Sequence, residues 1–330
     1  MRFAPYAPLV VLGVALATAG VVVGRFAPGS LLPSPERPFG GYGTSEVRIE
    51  GTVYPRHATG ADDVRTTIEA APRRIVSQSS STDEFLYSIV APERVVGVSE
   101  TASRVQISNV LDIVMRHKPV VADDPESVLR ADPDLVFTPA EARSDVPGLL
   151  RAAGLPVYRI YTMFPTLASI EDHIRLVGYL TGEDARAAVE LQRFRDTVAR
   201  AAARKPAGAL APRVMGFGGI YSYGTATLFH DILRVLGAEN VAATHGFVGY
   251  DRVTDEHIVQ WNPDWIVAGA DRGRVDEVRA RLLENPAIAA TRAAERGRII
   301  VLENHVFLPL SPYTARLVEA LATALYGSTL

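Results

Sequence analysis

The segment Glu126-Ser-Val-Leu-Arg-Ala-Asp-Pro-Asp-Leu-Val-Phe137 returns at a constant offset of 130 residues as Glu256-His-Ile-Val-Gln-Trp-Asn-Pro-Asp-Trp-Ile-Val267. Each copy starts with a glutamate and reaches an Asp-Pro-Asp or Asn-Pro-Asp step before an apolar run. Proline ends a helix because it lacks an amide hydrogen and collides with the preceding turn. One copy would indicate only a short helix followed by a buried strand, whereas two copies indicate two similar halves of the chain.

Strand-like and helix-like stretches alternate around both copies, which is typical of an α/β fold with a largely parallel sheet. The first predicted helix covers residues 83–91, and Ser81 and Glu84 have the spacing of a capping box at its start. The predicted strands are residues 74–77, 94–98, 135–137 and 156–161 in the first half, and residues 213–217, 240–243, 266–268 and 298–302 in the second.

Residues 184–204 contain neither glycine nor proline and lie between the two halves. At about 1.5 Å per residue this stretch would form roughly 30 Å of helix, which is long enough to run between two domains. We therefore predict two similar lobes with mostly parallel sheets joined by one long interlobe helix. The predicted lobes are residues 72–182 and 205–330, and the linking helix is residues 183–204.

The start of the sequence does not fit this pattern. Residues 1–24 carry positive charge at Arg2 and an apolar run from Ala7 onward, with a small-x-small step at Ala17-Thr18-Ala19. This predicts a signal peptide, or a membrane anchor if the run is not cut, because the run is long enough to span a bilayer. Residues 25–71 are rich in proline and glycine, and we interpret them as a tether and N-terminal extension. The expected location is periplasmic or extracytoplasmic.

Charge and composition argue against several classes of function. The 34 lysines and arginines nearly balance the 37 aspartates and glutamates, so the sequence shows no electrostatic footprint for nucleic acid. Cysteine is absent from the sequence, which removes disulfides, thiolate metal sites and cysteine nucleophiles. The seven histidines show no ligand spacing, and no serine stands in a G-x-S-x-G elbow. We therefore assign no catalytic and no metal-ligating residue.

Two loops after predicted strands offer candidate ligand contacts. The stretch Gly216-Phe-Gly-Gly-Ile-Tyr-Ser-Tyr-Gly224 lacks the third glycine of a dinucleotide-binding fingerprint, because Tyr221 occupies that position. We interpret it as a flexible strand-end loop that displays Tyr221 and Tyr223, and packing of either ring under the next helix fits equally well. In the first half, the hydroxyl-rich loop 79–83 can cap its helix and can also contact a ligand through Ser80.

Several segments, taken in order, resemble the periplasmic-binding family for iron-siderophores, cobalamin and haem, which comprises substrate-binding subunits of ABC importers. Each segment is weak alone, but the ordered set is specific, and it extends from Tyr54 to Tyr326. The segments are Ala71-Pro-Arg-Arg-Ile-Val-Ser77, Thr82-Asp-Glu-Phe-Leu86, Pro92-Glu-Arg-Val-Val-Gly-Val-Ser99, Asp132-Pro-Asp-Leu-Val136, Leu233-Arg-Val-Leu-Gly-Ala-Glu-Asn240 and Asn262-Pro-Asp264.

The resemblance implies a ligand held in a cleft between two lobes, and one glutamate per lobe that docks into arginines of the permease dimer. These docking positions fall on Glu126 and Glu256, which the repeat also singles out. Ligand contacts in the family come from aromatic and arginine side chains on strand-end loops. Together with Ser80, the candidates are Arg143, Phe164, Tyr221, Tyr223, Tyr250, Arg252 and Arg272.

The implied ligand is a metal chelate of iron or cobalt. A ferric siderophore comes first, because arginines suit an anionic chelate through bidentate pairing, and cobalamin or haem comes next. We expect no intrinsic cofactor, no enzymatic activity, and contact with the membrane only through the N-terminal segment or the transporter. Two other interpretations stay open, namely an exported two-lobe enzyme and an anchored ligand-sensing domain.

Two features depart from the family pattern. Many relatives are lipoproteins, and this sequence offers no cysteine for a lipid anchor. Residues 104–117 are longer and more polar than a plain connection, so they form either a lid over the ligand or an insertion.

Overall fold

The computed structural model describes residues 49–50, 53–141 and 145–327. The predicted signal or anchor segment, residues 1–24, lies outside them, as does most of the predicted tether. The chain divides into two compact units. The first unit ends at Thr197 and also includes Pro309–Ala315, and the second comprises Val198–Leu308 and the residues from Arg316 onward. Among the helices of the described residues, none is both long and apolar enough to cross a membrane.

The first unit contains a small antiparallel sheet and a five-stranded parallel sheet. The small sheet consists of β1 (Ile49–Glu50), β2 (Arg56–Thr59) and β3 (Arg65–Ile68). The parallel sheet has the order β6-β5-β4-β7-β8, with β4 (Ile75–Ser77), β5 (Val95–Val98), β6 (Val120–Val121), β7 (Leu135–Pro139) and β8 (Val157–Ile160). Its helices are α1 (Ser80–Ile89), α2 (Leu111–His117), α3 (Pro125–Arg130), α4 (Val146–Ala152) and α5 (Leu167–Thr181).

The second unit is built on a mixed six-stranded sheet with the order β12-β10-β9-β13-β14, in which β11 pairs with β9. The strands are β9 (Arg213–Phe217), β10 (Tyr221–Tyr223), β11 (Glu239–Asn240), β12 (Tyr250–Arg252), β13 (Trp265–Ala270) and β14 (Ile299–Glu303). Strands β9, β11, β13 and β14 are mutually parallel, whereas β10 and β12 run antiparallel to their neighbours. The fold is therefore α/β with mostly parallel sheets, as predicted.

The remaining helices are α6 (Asp184–Ala202), in which the chain passes from the first unit to the second, and the helices that follow β9. Helix α6 has 19 residues, and the division between the two units falls within it. The helices that follow are α7 (Leu228–Val235), α8 (Val241–Thr244), α9 (Asp255–Trp261), α10 (Val275–Glu284), α11 (Pro286–Ala289), α12 (Arg292–Glu295), α13 (Asn304–Phe307) and α14 (Thr314–Tyr326).

The sequence repeat corresponds to the same local structure in both units. Asp132 and Asn262, just before the prolines, both adopt left-handed backbone with φ of 49° and 42°, which ends helices α3 and α9. The exposed helix-end carbonyls are then bonded by an arginine at the start of the central strand. Arg74 donates to Asp132 O at 2.6 Å, and Arg213 donates to Asn262 O at 3.0 Å. The end of the helix is therefore joined to the central strand in the same way in both units.

The second aspartate of each Asp-Pro-Asp or Asn-Pro-Asp step has a matching role. Asp134 accepts from the backbone N–H groups of Arg73 and Arg74 at 2.7 and 2.9 Å. Asp264 accepts from the backbone N–H of Arg213 at 3.3 Å. The backbone N–H groups at the start of each central strand need acceptors, and these carboxylates provide them in both units.

Three local predictions were wrong. Residues 240–243 were predicted as a strand, but the strand is Glu239–Asn240 and a short helix follows. Ser81 was predicted to begin a capping box with Glu84, whereas the N-cap is Ser79, whose side chain accepts from the N–H of Thr82 at 3.2 Å. The loop after β9 was predicted to be flexible, but it contains β10, which pairs with β9 and β12.

The buried His173 of helix α5 makes the first unit sensitive to acid. Its ring is 2% exposed, its Nδ1 lies 2.9 Å from Ser169 O, and burial lowers the pKa of the imidazole to about 4. The unfolded chain takes up this proton near pH 6.5 while the folded chain does not, so the stabilisation is present above pH 6.5 and is lost as the pH falls toward 4.

We therefore expect the free energy of unfolding to fall by about 1.4 kcal/mol per pH unit across that window because of His173. Denaturant titrations of the wild type and of His173→Gln at several pH values between 4 and 7 measure this contribution as a difference. Identical pH dependence in the two proteins would contradict the prediction.

Candidate functional site

Helix α3 and helix α9, which we call the two glutamate turns, present Glu126 and Glu256. Both turns are fixed by a reciprocal capping box at matching positions of the repeat. In the first, the N–H of Ser127 donates to Asp124 Oδ1 at 2.8 Å, and in the second, the N–H of His257 donates to Thr254 Oγ1 at 3.3 Å. Because the caps hold the first turn, the exposed glutamates are carried on rigid backbone.

The two glutamates differ in their electrostatic surroundings. Glu126 is 85% exposed at its side chain and forms an ion pair with Arg130 at 2.9 Å. Gln260 takes the place of Arg130 in the second copy, so Glu256 has no basic residue one turn later. Hydrogen bonding to Thr254 lowers the pKa of Glu256, which keeps its carboxylate ionised. The Glu256 carboxylate is thus ionised, and its own helix neutralises it less than Arg130 neutralises Glu126.

Each glutamate turn also exposes an aliphatic side chain three residues after its glutamate. Leu129 is 46% exposed and Val259 is 55% exposed, and the two stand at matching positions of the repeat. Single exposed apolar residues are common on protein surfaces. Their recurrence beside both glutamates indicates that the two turns share a mixed acidic and apolar surface.

The second glutamate turn rests on an aromatic support. Trp261 at its end is 2% exposed. The ring of His257 stacks on it at 5.3 Å, and the rings of His245 and Phe247 contact it at 5.2 and 4.9 Å between centroids. Aromatic contacts of this kind add to the burial energy of the rings. These ring contacts consequently hold the turn that bears Glu256 in place.

Four predicted ligand-binding residues lie together on strands β10 and β12 of the second unit. The antiparallel register places Tyr221 opposite Arg252, and Tyr223 opposite Tyr250. Opposed residues in such a ladder lie close enough for their side chains to interact. Arg252 is exposed, and Tyr221 and Tyr250 are half-buried. The pairing thus brings together residues that lie in separate segments of the sequence.

Tyr223 is the exception among these four, because it is only 5% exposed. Its ring contacts Phe229, Tyr250 and Phe307 at 5.3, 5.5 and 5.8 Å between centroids, and we call these four rings the aromatic cluster. Burial raises the pKa of Tyr223, and it raises the pKa of Tyr250 to about 12. Tyr223 was predicted to be displayed on a loop, but its ring packs against the following helix α7, the alternative that the sequence left open.

Two glycines in this region, Gly216 and Gly224, allow close packing. A Cβ on Gly216 would overlap the rings of Tyr223 and Phe229, and a Cβ on Gly224 would overlap the carbonyl group of Phe247. The backbone N–H of Gly224 donates to Gly249 O at 2.7 Å. Gly216 and Gly224 are therefore explained by close approach of rings and backbone.

The carboxyl ends of β13 and β14 form a second group of polar residues in this unit. The parallel register pairs Ala270 with Glu303, so Arg272 and His305 both follow directly after adjacent strand ends. The sequence did not single out His305, because the residues around it come from two separate strands, β13 and β14. Its Nδ1 lies 3.3 Å from a carboxylate oxygen of Glu303, and its side chain is 19% exposed. Parallel α/β sheets bind ligands at this edge.

The candidates of the first unit lie in different environments. Ser80 is half-buried in the first turn of α1. Phe164 lies on the loop after β8, in line with the predicted strand-end loop, but it is only 3% exposed and its ring contacts Phe85 and His173 at 5.6 and 4.5 Å between centroids. Its ring packs in the interior of this unit, and its role as a ligand contact stays a prediction. Arg143 lies outside the described residues.

The polar stretch at residues 104–117 proves to be attached to helix α1. It contains α2, and Ser108 and Val110 within it are 5% and 1% exposed. Asn109 donates from its side-chain amide to a carboxylate oxygen of Glu84 at 2.8 Å. This segment is thus held against the first unit by buried contacts.

Comparison with known proteins gives a consistent family. A protein of Halobacterium salinarum named cobalamin-binding protein is 26% identical over 84% of this chain and 76% of its own. An uncharacterised ABC transporter substrate-binding lipoprotein of Bacillus subtilis is 23% identical over 86% of this chain and 90% of its own. The solved structure of a periplasmic haem-binding protein from Pseudomonas aeruginosa is 28% identical, covers 78% of this chain and 94% of its own, and superposes with a TM-score of 0.61.

The family model described as periplasmic binding protein matches residues 75–306, which is more than half of the chain. This range contains both glutamate turns and strands β4 to β14. The chain therefore belongs to the periplasmic binding protein family.

Proposed function

We propose that this protein is the extracytoplasmic substrate-binding subunit of an ABC importer and that it binds a metal tetrapyrrole, cobalamin or haem. The observation that carries the proposal is the recurrence of the same capped, glutamate-bearing turn in both units of a chain that belongs to the periplasmic binding protein family. A binding protein that must hand its ligand to a membrane partner needs an exposed, rigid surface of this kind. The relative from Bacillus subtilis, named as a substrate-binding lipoprotein of an ABC transporter, supports the same role.

In this proposal Glu126 and Glu256 attach the protein to the permease. Carboxylates on capped turns complement basic sockets, and such complementarity sets the orientation of a complex more than its total affinity. Leu129 and Val259 add apolar contact beside each charge. A small apolar contact surrounded by charge suits a partner that must bind and release repeatedly.

For the ligand, we place cobalamin and haem ahead of the ferric siderophore that the sequence favoured. One relative is named as a cobalamin-binding protein and another as a haem-binding protein. The half-buried rings of Tyr221 and Tyr250, on the paired strands β10 and β12, offer ring faces for a planar macrocycle. Iron or cobalt is then cargo of the protein and not its cofactor.

The two other interpretations differ from this proposal in what they require. An enzyme would need a convergent acid, base or nucleophile set, and the relatives compared above carry names of binding or transport proteins. A sensor would bind the same ligands but would work without a permease, so transport assays separate it from an importer subunit. We propose that the protein is not an enzyme.

Spectroscopic titration tests the ligand directly. We expect the purified protein to bind haemin or cyanocobalamin at a stoichiometry of one, with a shift of the visible absorption band and co-elution of colour and protein on gel filtration. Ferric chelates of hydroxamate and catecholate siderophores form the comparison set. Binding of a siderophore alone would return the ligand to the original prediction, and failure of all three classes would overturn the proposed ligand.

A further inference from the structure

This inference rests on the proposed function and concerns one residue of the second glutamate turn, His257. It occupies the third position of helix α9, and the repeat matches it to Ser127 of helix α3 at the constant offset of 130 residues. Both residues complete the capping box of their turn. The two glutamate turns thus share a backbone arrangement but differ in the side chain that closes it.

The side chain at this position accepts a hydrogen bond. In the first turn the N–H of Asp124 donates to the hydroxyl oxygen of Ser127 at 3.3 Å, and in the second the N–H of Thr254 donates to Nδ1 of His257 at 3.3 Å. An imidazole nitrogen accepts only while it carries no proton, because both ring nitrogens of protonated histidine are donors. Uptake of a proton by His257 therefore removes the acceptor for Thr254, whereas the hydroxyl of Ser127 undergoes no such change.

Two aromatic neighbours hold the His257 ring in this orientation. It stacks on Trp261 at 5.3 Å between centroids, with 9° between the ring planes. Phe247 contacts it edge-on at 5.5 Å and 84°. These contacts fix the plane in which Nδ1 meets the N–H of Thr254. The stacking also keeps the ring in place when it becomes positive, since a cation is attracted to the face of a tryptophan.

Charged and titratable groups lie on the elements around His257. They are Asp255 and Glu256 on its own helix, Asp251 and Arg252 on strand β12 before it, His245 after α8, and Glu284 at the end of α10. Asn285 follows α10 and donates from its side-chain amide to Asp255 Oδ1 at 3.0 Å. Helix α11, which packs against α9, carries only proline, alanine and isoleucine. A proton on His257 would thus place positive charge directly beside the carboxylate of Glu256.

We propose that His257 is a positioning residue that makes docking by the second glutamate turn depend on pH. While His257 is neutral, its capping bond fixes the turn, and Glu256 presents its carboxylate to basic groups of the permease. Histidine takes up a proton between about pH 8 and 5. The capping bond is then lost, and the new charge opposes the basic groups of the partner. Acid therefore weakens docking through the second unit and not through the first.

The carboxylates of the two turns do not produce the same pH dependence. The N-cap of the first turn, Asp124, accepts from the N–H of Ser127 at 2.8 Å, and this bond lowers the pKa of Asp124. Hydrogen bonding to Thr254 lowers the pKa of Glu256, and attraction to His257 adds to the effect. Asp124 and Glu256 consequently stay ionised between about pH 5.5 and 8. A change of docking in this range then reports on His257 and not on these two carboxylates.

Binding of the protein to the purified permease in lipid nanodiscs, measured by surface plasmon resonance at several pH values, tests the proposal. For the wild type we expect the dissociation constant to be about three- to ten-fold higher at about pH 5.5 than at about pH 8, as for one capping bond and one weakened ionic contact. His257→Gln and His257→Ser should both bring this ratio close to one. Glutamine supplies an acceptor that does not titrate, and serine reproduces the first turn.

His245→Gln is the matched control, since the ring of His245 contacts the same tryptophan at 5.2 Å between centroids. Its Nδ1 lies 2.8 Å from the carbonyl oxygen of Val241, so this nitrogen already donates and no acceptor is lost on protonation. The variant should keep the wild-type ratio between the two pH values. Thermal melting of each variant shows that it is folded.

An NMR titration of the imidazole C–H signals shows directly whether His257 takes up a proton in this range, because its signal is the one missing from His257→Gln. Three results would overturn the role of His257, namely equal docking of the wild type at both pH values, a ratio that persists in both His257 variants, and a His257 signal that does not titrate. Each of these leaves docking itself in place. Normal docking by the Glu126→Ala, Glu256→Ala double variant instead overturns the proposed docking, and this inference with it, so the two failures are distinguishable.

Discussion

Import of ligand is expected to fall by about ten-fold or more when Glu126 and Glu256 are both replaced by alanine, while the purified protein still binds its ligand. The glutamates are surface residues on capped turns, so their removal takes away charge without opening the core of either unit. Docking would lose one ionic anchor in each unit. Uptake of labelled ligand by vesicles that contain the transporter measures the loss, and direct titration of the purified variant measures retained binding.

Matched glutamates distinguish docking from a general effect of charge. Glu93 and Glu284 are exposed, one in each unit, and neither occupies the repeated turn, so the variant with alanine at both should import normally. Among single variants we expect Glu256→Ala to be more damaging than Glu126→Ala, because Glu126 already shares its charge with Arg130. Normal import by the Glu126→Ala, Glu256→Ala double variant would show that docking uses another surface.

Gly224→Ala should destabilise the second unit by about 1–3 kcal/mol, because the added methyl group would overlap the backbone carbonyl of Phe247. Backbone cannot turn away as a flexible side chain can, so the paired segments have to separate. Strands β10 and β12 carry Tyr221, Tyr250 and Arg252, and we therefore expect ligand binding to weaken as well. Denaturant unfolding followed by circular dichroism measures the stability change.

A second glycine provides the control for this substitution. Gly148 lies in helix α4, and a Cβ there would meet nothing within 4 Å. Gly148→Ala should leave stability unchanged or raise it by about 0.5–1 kcal/mol, since alanine loses less backbone entropy than glycine in a helix. If both variants unfold at the same denaturant concentration, the close approach at Gly224 does not contribute to stability.

Much of the fold was readable from the sequence because its signals are local. The helix stops at Asp132 and Asn262 precede prolines, and apolar runs follow them, so both central patterns could be placed without knowing any long-range contact. Strand β9 has the predicted bounds. The α/β class, which needs only the alternation of such patterns, was predicted correctly for the same reason.

The antiparallel strands β10 and β12 were missed because nothing near them in sequence specifies their pairing. Glycines at positions 218, 219 and 224 reduce the strand signal, and the partner segment lies beyond α7 and α8. Once the pairing forms, Tyr223 is turned into the aromatic cluster. Predicting the pairing of β10 with β12 would therefore have required knowledge of tertiary contacts. The energy of those contacts outweighs the local conformational preference of the sequence.

The sequence predicted what kind of site to expect, but it identified only some of the residues. Glu126 and Glu256 were identified by the repeat, and the structure describes both as exposed on capped turns. Phe164 lies on a loop as predicted, but its ring is buried, which its sequence neighbours could not indicate. His305 does not stand at ligand spacing from another histidine, and its surroundings come from the paired strands β13 and β14.

The segment Pro309–Ala315 has a consequence for the order in which the molecule can form. It belongs to the first unit, where the Ser311 hydroxyl donates to Glu84 Oε2 at 2.5 Å and Leu310 O accepts from Ser81. These contacts to helix α1 join residues that are more than two hundred positions apart in the chain. A ribosome must therefore add nearly the whole sequence before the first unit has all its parts. A chain cut after α6 is a fragment with a missing piece, and not an independent domain.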